Sequence, residues 1–252
     1  MVRTDFEAFR KQAMAIVELH PIVTENRYTA EFARGGLTIE KVRHFTVQFS
    51  VFSHLFIEAQ LRKCINAPDI ASYRAGKEIL MNELGVVFAR SGSVDGGRFR
   101  FTAAHFEWLC AFGKTLGLRF EQLGKRCYAT PPTLFFCDEL ARLYGAEDHS
   151  ISEGASFAIE HWAGAGFWKQ LIAGLSEFKT RSVPDLPLGF WTWHDQLEER
   201  HVAHTDDELA AAFRRAWFDE ARFLSGAQQM LDAVQVFWKG LRGDLRQSLR
   251  SA

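Results

Sequence analysis

Trp193-His194-Asp195-Gln196-Leu197-Glu198-Glu199-Arg200-His201 is the segment from which the rest of the chain is best read. At about 100° per residue, a helix carries positions 194, 198 and 201 on one narrow stripe. Two imidazoles and a carboxylate then converge on one point. The neighbouring Phe190, Trp191, Trp193 and Leu197 are large and apolar, which turns the segment toward a core. Imidazole with carboxylate suits iron or manganese, whereas structural zinc more often recruits thiolates. A solvated polar helix face would show the same spacing, so the remaining ligands must come from elsewhere in the chain.

Working outward, helical periodicity dominates, and no stretch alternates cleanly enough to read as a strand. Phe6, Phe9, Ala13, Ile16 and Val17 recur at three and four, predicting a helix over Phe6 to Leu19 that His20-Pro21 ends. A second helix is expected from Thr24 until Gly35-Gly36 closes it. Thr38 reads as the N-cap of a long helix reaching Asn66, and Pro68 opens the next, from Ile70 to Phe88. Ser91 to Gly97 is a glycine-rich loop. Further helices are expected at Thr102 to Leu116, Pro132 to Tyr144, Ser152 to Phe178, Phe190 to His204 and Asp206 to Leu241. Ser150-x-x-Glu153 and Thr205-x-x-Glu208 read as capping boxes at helix starts.

With 252 residues, 47% of them hydrophobic, the chain can bury a large core as one all-α domain spanning 1–252. Lys plus Arg (30) balances Asp plus Glu (31), and no basic stripe forms beyond Arg242 and Arg246, so a nucleic-acid groove is not expected. Cys64, Cys110, Cys127 and Cys137 form no C-x-x-C pair, which argues against a disulfide framework and for a reducing cytoplasm. Asp5, Glu7, Arg10 and Lys11 interrupt the N-terminus, so no signal peptide is read there, and no uncharged run is long enough to span a bilayer.

Three more residues qualify as ligands. Glu160 lies in Ala158-Ile159-Glu160-His161-Trp162-Ala163-Gly164-Ala165-Gly166, where a buried carboxylate is costly unless it is paired or bound to a metal. His161 points about 100° away and reads as structural. Glu83, in Asn82-Glu83-Leu84-Gly85, ends a helix before the glycine loop, and His105, in Ala104-His105-Phe106-Glu107-Trp108-Leu109, opens the following one. A loop that folds back would let these two meet. Phenylalanines cluster at Phe45/Phe49/Phe52/Phe56 and Phe135/Phe136, a pattern that fits plain core more often than a substrate pocket.

Asn82-Glu83-Leu84-Gly85, then Ala104-His105-Phe106-Glu107-Trp108-Leu109 leading to Leu116-Gly117-Leu118, then Ala158-Ile159-Glu160, then the His-x-x-x-Glu-x-x-His helix follow one order along the chain. In that order they resemble the haem-oxygenase-like diiron oxidases and oxygenases, whose fold is shared with thiaminase II and pyrroloquinoline quinone synthase. The resemblance implies an all-α, haem-oxygenase-like bundle. It also implies that Glu83, His105, Glu160, His194, Glu198 and His201 bind two Fe(II) ions that react with O2. The expected substrate is a small organic molecule (an amino acid, an amine or a fatty acid), with an external electron donor and a second copy of the chain as further candidate partners. The connection from Glu83 to His105 is longer than in those relatives. Several members also use a carboxylate from the first long helix, where this sequence offers His54 or Glu58.

Other chemistries remain open from sequence. Cys137 is the candidate nucleophile for a thiaminase-like hydrolase, and His20 the candidate axial ligand for haem. A ferritin-like site needs two Glu-x-x-His helices, and only Glu198-x-x-His201 is present. A non-catalytic helical binding protein would use the same polar residues as core hydrogen-bonding groups.

Overall fold

The computed structural model describes residues 5–87 and 94–248, with the side chains of 197–204 and 244–248 outside that description. Its longest early helix, α4 (Ile39–Ile65), follows α1 (Phe6–Glu18), α2 (Pro21–Thr24) and α3 (Arg27–Ala33). Thr38 caps α4 by accepting from the Lys41 amide at 3.2 Å, as its position predicts. Where one helix is expected from Thr24 to Gly35, two short ones form, because the Asn26 side chain accepts from the Thr29 amide and starts a new helix.

Helix α5 (Ile70–Glu83) stops earlier than Phe88, which lies outside the described residues. Gly85, with φ +105°, turns the chain into a two-residue antiparallel pair that the sequence reading did not anticipate, β1 (Val86–Val87) with β2 (Arg98–Phe99). Such a pair is too short to show alternation. A 3₁₀ turn at Phe101–Ala103 leads into α6 (His105–Thr115), and α7 (Pro131–Tyr144) follows.

The single helix expected over Ser152 to Phe178 is two, α8 (His149–Ala163) and α9 (Phe167–Ser182), divided by Gly166 at φ +90°. Neither predicted capping box forms. Asp148 caps α8 by accepting from the amides of Ser150 and Ile151. Thr205 and Glu208 sit within α10 (Gly189–Phe213), which runs through the expected break. The chain turns instead at Arg214–Asp219, and Asp219 accepts from the Arg222 amide near the start of α11 (Glu220–Ser248).

Helix α8 is central. It packs on α11, α10 and α7, while α4 packs on α7, α5 and α6, and α3 lies on α9. The approach of α8 to α11 is close enough that a methyl on Gly154 would run into the Phe223 carbonyl. Between the layers lies an aromatic core in which Phe45, Phe49, Trp191 and Trp238 are all buried, with Phe49 and Trp191 rings 5.0 Å apart. Each such ring contributes about 1.5–3 kcal/mol by leaving water. Among the described residues, no helix is long and apolar enough to cross a membrane.

Candidate metal centre

Glu83, His105 and His194 come together from three elements, the last turn of α5, the first residue of α6 and the second turn of α10. One ligand atom from each lies within 4.8 Å of the others, and the three could hold a metal ion. The local sequence explains the meeting of Glu83 and His105. The Asn82 side-chain amide donates to the Val86 carbonyl at 3.1 Å, and the Arg100 backbone amide donates to the Gly85 carbonyl at 2.9 Å. The hairpin therefore leaves and returns at one place, and the longer connection closes on itself. The Trp108 indole donates to the Thr102 carbonyl at 2.8 Å, tying the start of α6 to the returning chain.

His105 Nδ1 stands 2.9 Å from Glu83 Oε2, yet the two are not aligned for a hydrogen bond, and Nδ1 has no hydrogen-bond partner. Two donors about 2.1 Å from a shared ion and at a right angle to it are about 3 Å apart. The spacing therefore fits a pair aimed at a common cation. His194 Nδ1 donates to the Phe190 carbonyl at 2.6 Å, which puts the ring's lone pair on Nε2, the nitrogen that could coordinate. The His105 and His194 rings lie 4.7 Å apart at 70°. Trp168 stacks on His194 at 4.8 Å and Trp108 on His105 at 5.6 Å, fixing both imidazoles.

Glu160, only 5% exposed, faces the same space from α8. With Glu83 and His194 it lines a narrow cavity of about 60 Å³ walled by Phe49, Phe52, Phe56, Trp168 and Phe190. Glu160 is not part of the close trio. Carboxylates at under one tenth exposure are costly to bury unless they are paired or hold a cation. The donor set is nitrogen and oxygen with no thiolate, which suits iron or manganese.

Glu198 and His201 belong to α10, but their side chains lie outside the described residues. His54 and Glu58 do not line the cavity. His54 packs on Phe106 with centroids 3.9 Å apart, and Glu58 accepts from Arg62 at the surface. His161 binds the Phe157 carbonyl through Nδ1 and points toward Asp206, away from the cavity, as its helical offset predicts. Of the phenylalanines, Phe45 and Phe136 are core, Phe52 and Phe56 face the cavity, and Phe135 is exposed.

The residues considered for rival chemistries are otherwise engaged. His20 accepts from the Ile22 amide through Nδ1, and its Nε2 faces Asp232 at 3.3 Å, so both ring nitrogens serve the turn into α2. Burial pushes the Cys137 thiol up to about 12, against the opposing pull of Arg126, which leaves no thiolate at neutral pH.

Sequence reasoning missed a second buried polar cluster. Lys63, in Leu61-Arg62-Lys63-Cys64-Ile65, reads as one more charge near a helix end. In the fold its Nζ donates to Ser156 Oγ at 2.9 Å and to Glu208 Oε2 at 3.3 Å, with Glu153 Oε2 at 3.6 Å. Its place on the Phe49, Ser53, Phe56 stripe of α4 was the available signal.

No protein-family model matches the chain, and no curated protein matches it in sequence. Solved structures do resemble it. A domain of unknown function with a heme oxygenase-like fold from Shewanella denitrificans superposes with a TM-score of 0.69 at 12% identity, covering 99% of this chain and 97% of that one. A CADD-like protein of unknown function from Nostoc punctiforme gives 0.66 at 20% identity over 95% and 97%. A TenA homolog from Pseudomonas syringae pv. tomato gives 0.62 at 10% identity over 94% and 91%. The chain therefore has the all-α, haem-oxygenase-like fold.

Proposed function

We propose that this single-domain chain is a non-haem diiron oxidase or oxygenase that uses O2 on a small amino acid, amine or fatty acid in specialised biosynthesis in the cytoplasm. The observation that carries the reading is the convergence of Glu83, His105 and His194, with Glu83 and His194 sharing an aromatic-walled cavity with Glu160. Glu83, His105 and His194 would hold one ion. Glu160, with Glu198 and His201 from the α10 stripe, would hold the second. When bound, two ferrous ions supply reduction of O2 and oxidation of the substrate.

The protein's own part is positional. The Phe190 carbonyl fixes the tautomer and orientation of His194, and Trp108 and Trp168 hold the two imidazoles in place. Phe49, Phe52 and Phe56 offer an apolar surface to the substrate. An external electron donor completes the electron count for an oxygenase.

Anaerobic ferrous titration followed by mixing with O2 tests the reading. Uptake of about two irons per chain and an O2-dependent transient in the visible spectrum support it. A single tightly held zinc ion, or no metal uptake, ends it. Glu83→Gln and His105→Gln should each weaken iron binding by at least about tenfold, whereas Glu58→Gln, on the outer face of α4, should leave it unchanged.

A further inference from the structure

Beyond the cavity the bundle is polar along a line that packing alone does not require. On α8, Glu160, Ser156 and Glu153 follow one another at four and three residues, so they share a face. On α4, Phe56 of the cavity is followed on the same stripe by Gln60 and Lys63. The bond from Lys63 to Ser156 shows that the two stripes face each other. Between them, Gln60 is fully buried with neither amide atom hydrogen-bonded. Tyr144 of α7 is also fully buried, and its hydroxyl lies near Ser156 and Glu160 without a well-formed hydrogen bond.

The outer end of this line has room for a proton. Lys63 brings one positive charge to two carboxylates, Glu153 and Glu208. Burial raises the Glu153 carboxyl, Lys63 opposes that, and Glu208 and Asp69 push the same way as burial. Burial works against the Lys63 ammonium, but Glu153 and Glu208 outweigh it and keep it charged. Glu153 also borders two shallow surface grooves, one shared with Asn66 and His149 and the other with Asp207 and Arg215. Glu153 thus lies where the line meets the surface.

We propose that Glu153, Ser156 and Tyr144, held by Lys63 and flanked by Gln60, form a proton path from solvent to the Glu160 side of the metal-facing cavity. This rests on the oxidative reading above. Insertion of one atom of O2 into a C–H or N–H bond, with two electrons from an external donor, consumes two protons and gives the hydroxylated product and one water. Most of the cavity lining is aromatic or aliphatic and cannot itself relay those protons. Glu153 takes a proton from solvent. Once the Tyr144 hydroxyl swings into hydrogen bonding with its neighbours, each hydroxyl accepts one proton on its outer side and releases its own on the inner side, so the path itself is unchanged. Lys63 positions the carboxylates and Ser156, and the Gln60 carbonyl oxygen offers a dipole to the passing charge.

Glu153→Gln, Ser156→Ala and Ser156→Thr, each checked for a wild-type circular dichroism melt and iron stoichiometry, provide the test. In metal-free protein, an infrared pH titration should show a carboxylic acid band persisting above the ordinary carboxylate range and lost in Glu153→Gln. In iron-loaded protein, Glu153→Gln and Ser156→Ala should slow O2-dependent turnover at least about tenfold and enlarge its solvent deuterium isotope effect, while Ser156→Thr restores both. Full turnover in Glu153→Gln and Ser156→Ala overturns the path and leaves the oxidase reading standing, as does slowing with an unchanged isotope effect. A wild-type chain that takes up no iron brings down both.

Discussion

His194 is aimed by its own helix. Its Nδ1 is spent on the carbonyl one turn back, Phe190, so Nε2 is the nitrogen that would coordinate in the proposed centre. His54 is the contrasting case, an imidazole with no place in the cavity. Burial first, and then Lys125, hold it below its ordinary pKa of 6.5. A depressed folded value means that the unfolded chain binds the proton more readily. The stability it contributes is complete above 6.5 and is lost as the pH falls through the folded value. Urea midpoints should therefore decline as the pH is lowered from about 7.5 to about 5, and the decline should be shallower in His54→Gln. Equal declines in both proteins would remove His54 as the source. At this scale the sequence was legible where a polar residue stood among apolar ones, as at Glu160 and His194. It was harder to read at Lys63, whose one local signal was its place on the Phe49, Ser53, Phe56 stripe and whose burial depends on Glu153 and Glu208 arriving from other helices.

Among elements, the hairpin between α5 and α6 bears most directly on the site. Gly85 has φ +105°, and a Cβ there would stand 2.6 Å from the Arg100 carbonyl oxygen and 3.2 Å from the Ala104 amide nitrogen. Gly85→Ala should cost about 1–3 kcal/mol in urea denaturation, and should also weaken iron binding by moving Glu83 away from His105. Gly36 is the control. It too has positive φ, but a Cβ there meets nothing within 4 Å, so Gly36→Ala should strain the backbone and leave iron binding alone. Equal iron affinity in Gly85→Ala and the wild type would show that the hairpin does not set the register of the two ligands. The start of α4 could be read from Thr38 because a cap acts within one turn of its own residue. Ser150-x-x-Glu153 and Thr205-x-x-Glu208 misled because tertiary partners claimed their side chains: Ser150 accepts from the Asp219 amide, and Glu208 accepts from Lys63.

For the whole molecule, fold class was legible because helical periodicity repeats in nearly every segment and needs no knowledge of neighbours. The order of the polar motifs carried the architecture. What no local pattern carried was the closure of α5 onto α6, since a hairpin with two-residue strands shows no alternation, and the chain division at Gly166, where one continuous helix was expected. This closure predicts how metal and stability are linked. Glu83, His105, Glu160 and His194 belong to four different helices, so an ion that binds them binds the folded chain and not the unfolded one. At a free metal concentration about a hundredfold above its dissociation constant, binding adds about 2.7 kcal/mol. For a chain of this size, that should raise the melting temperature by about 5–10 °C. Anaerobic thermal melts with and without ferrous ion should show the rise in the wild type and lose most of it in Glu83→Gln. A rise of equal size in Glu83→Gln would place the stabilising ion away from the α5, α6 and α10 junction, and the candidate centre would have to be sought elsewhere in the bundle.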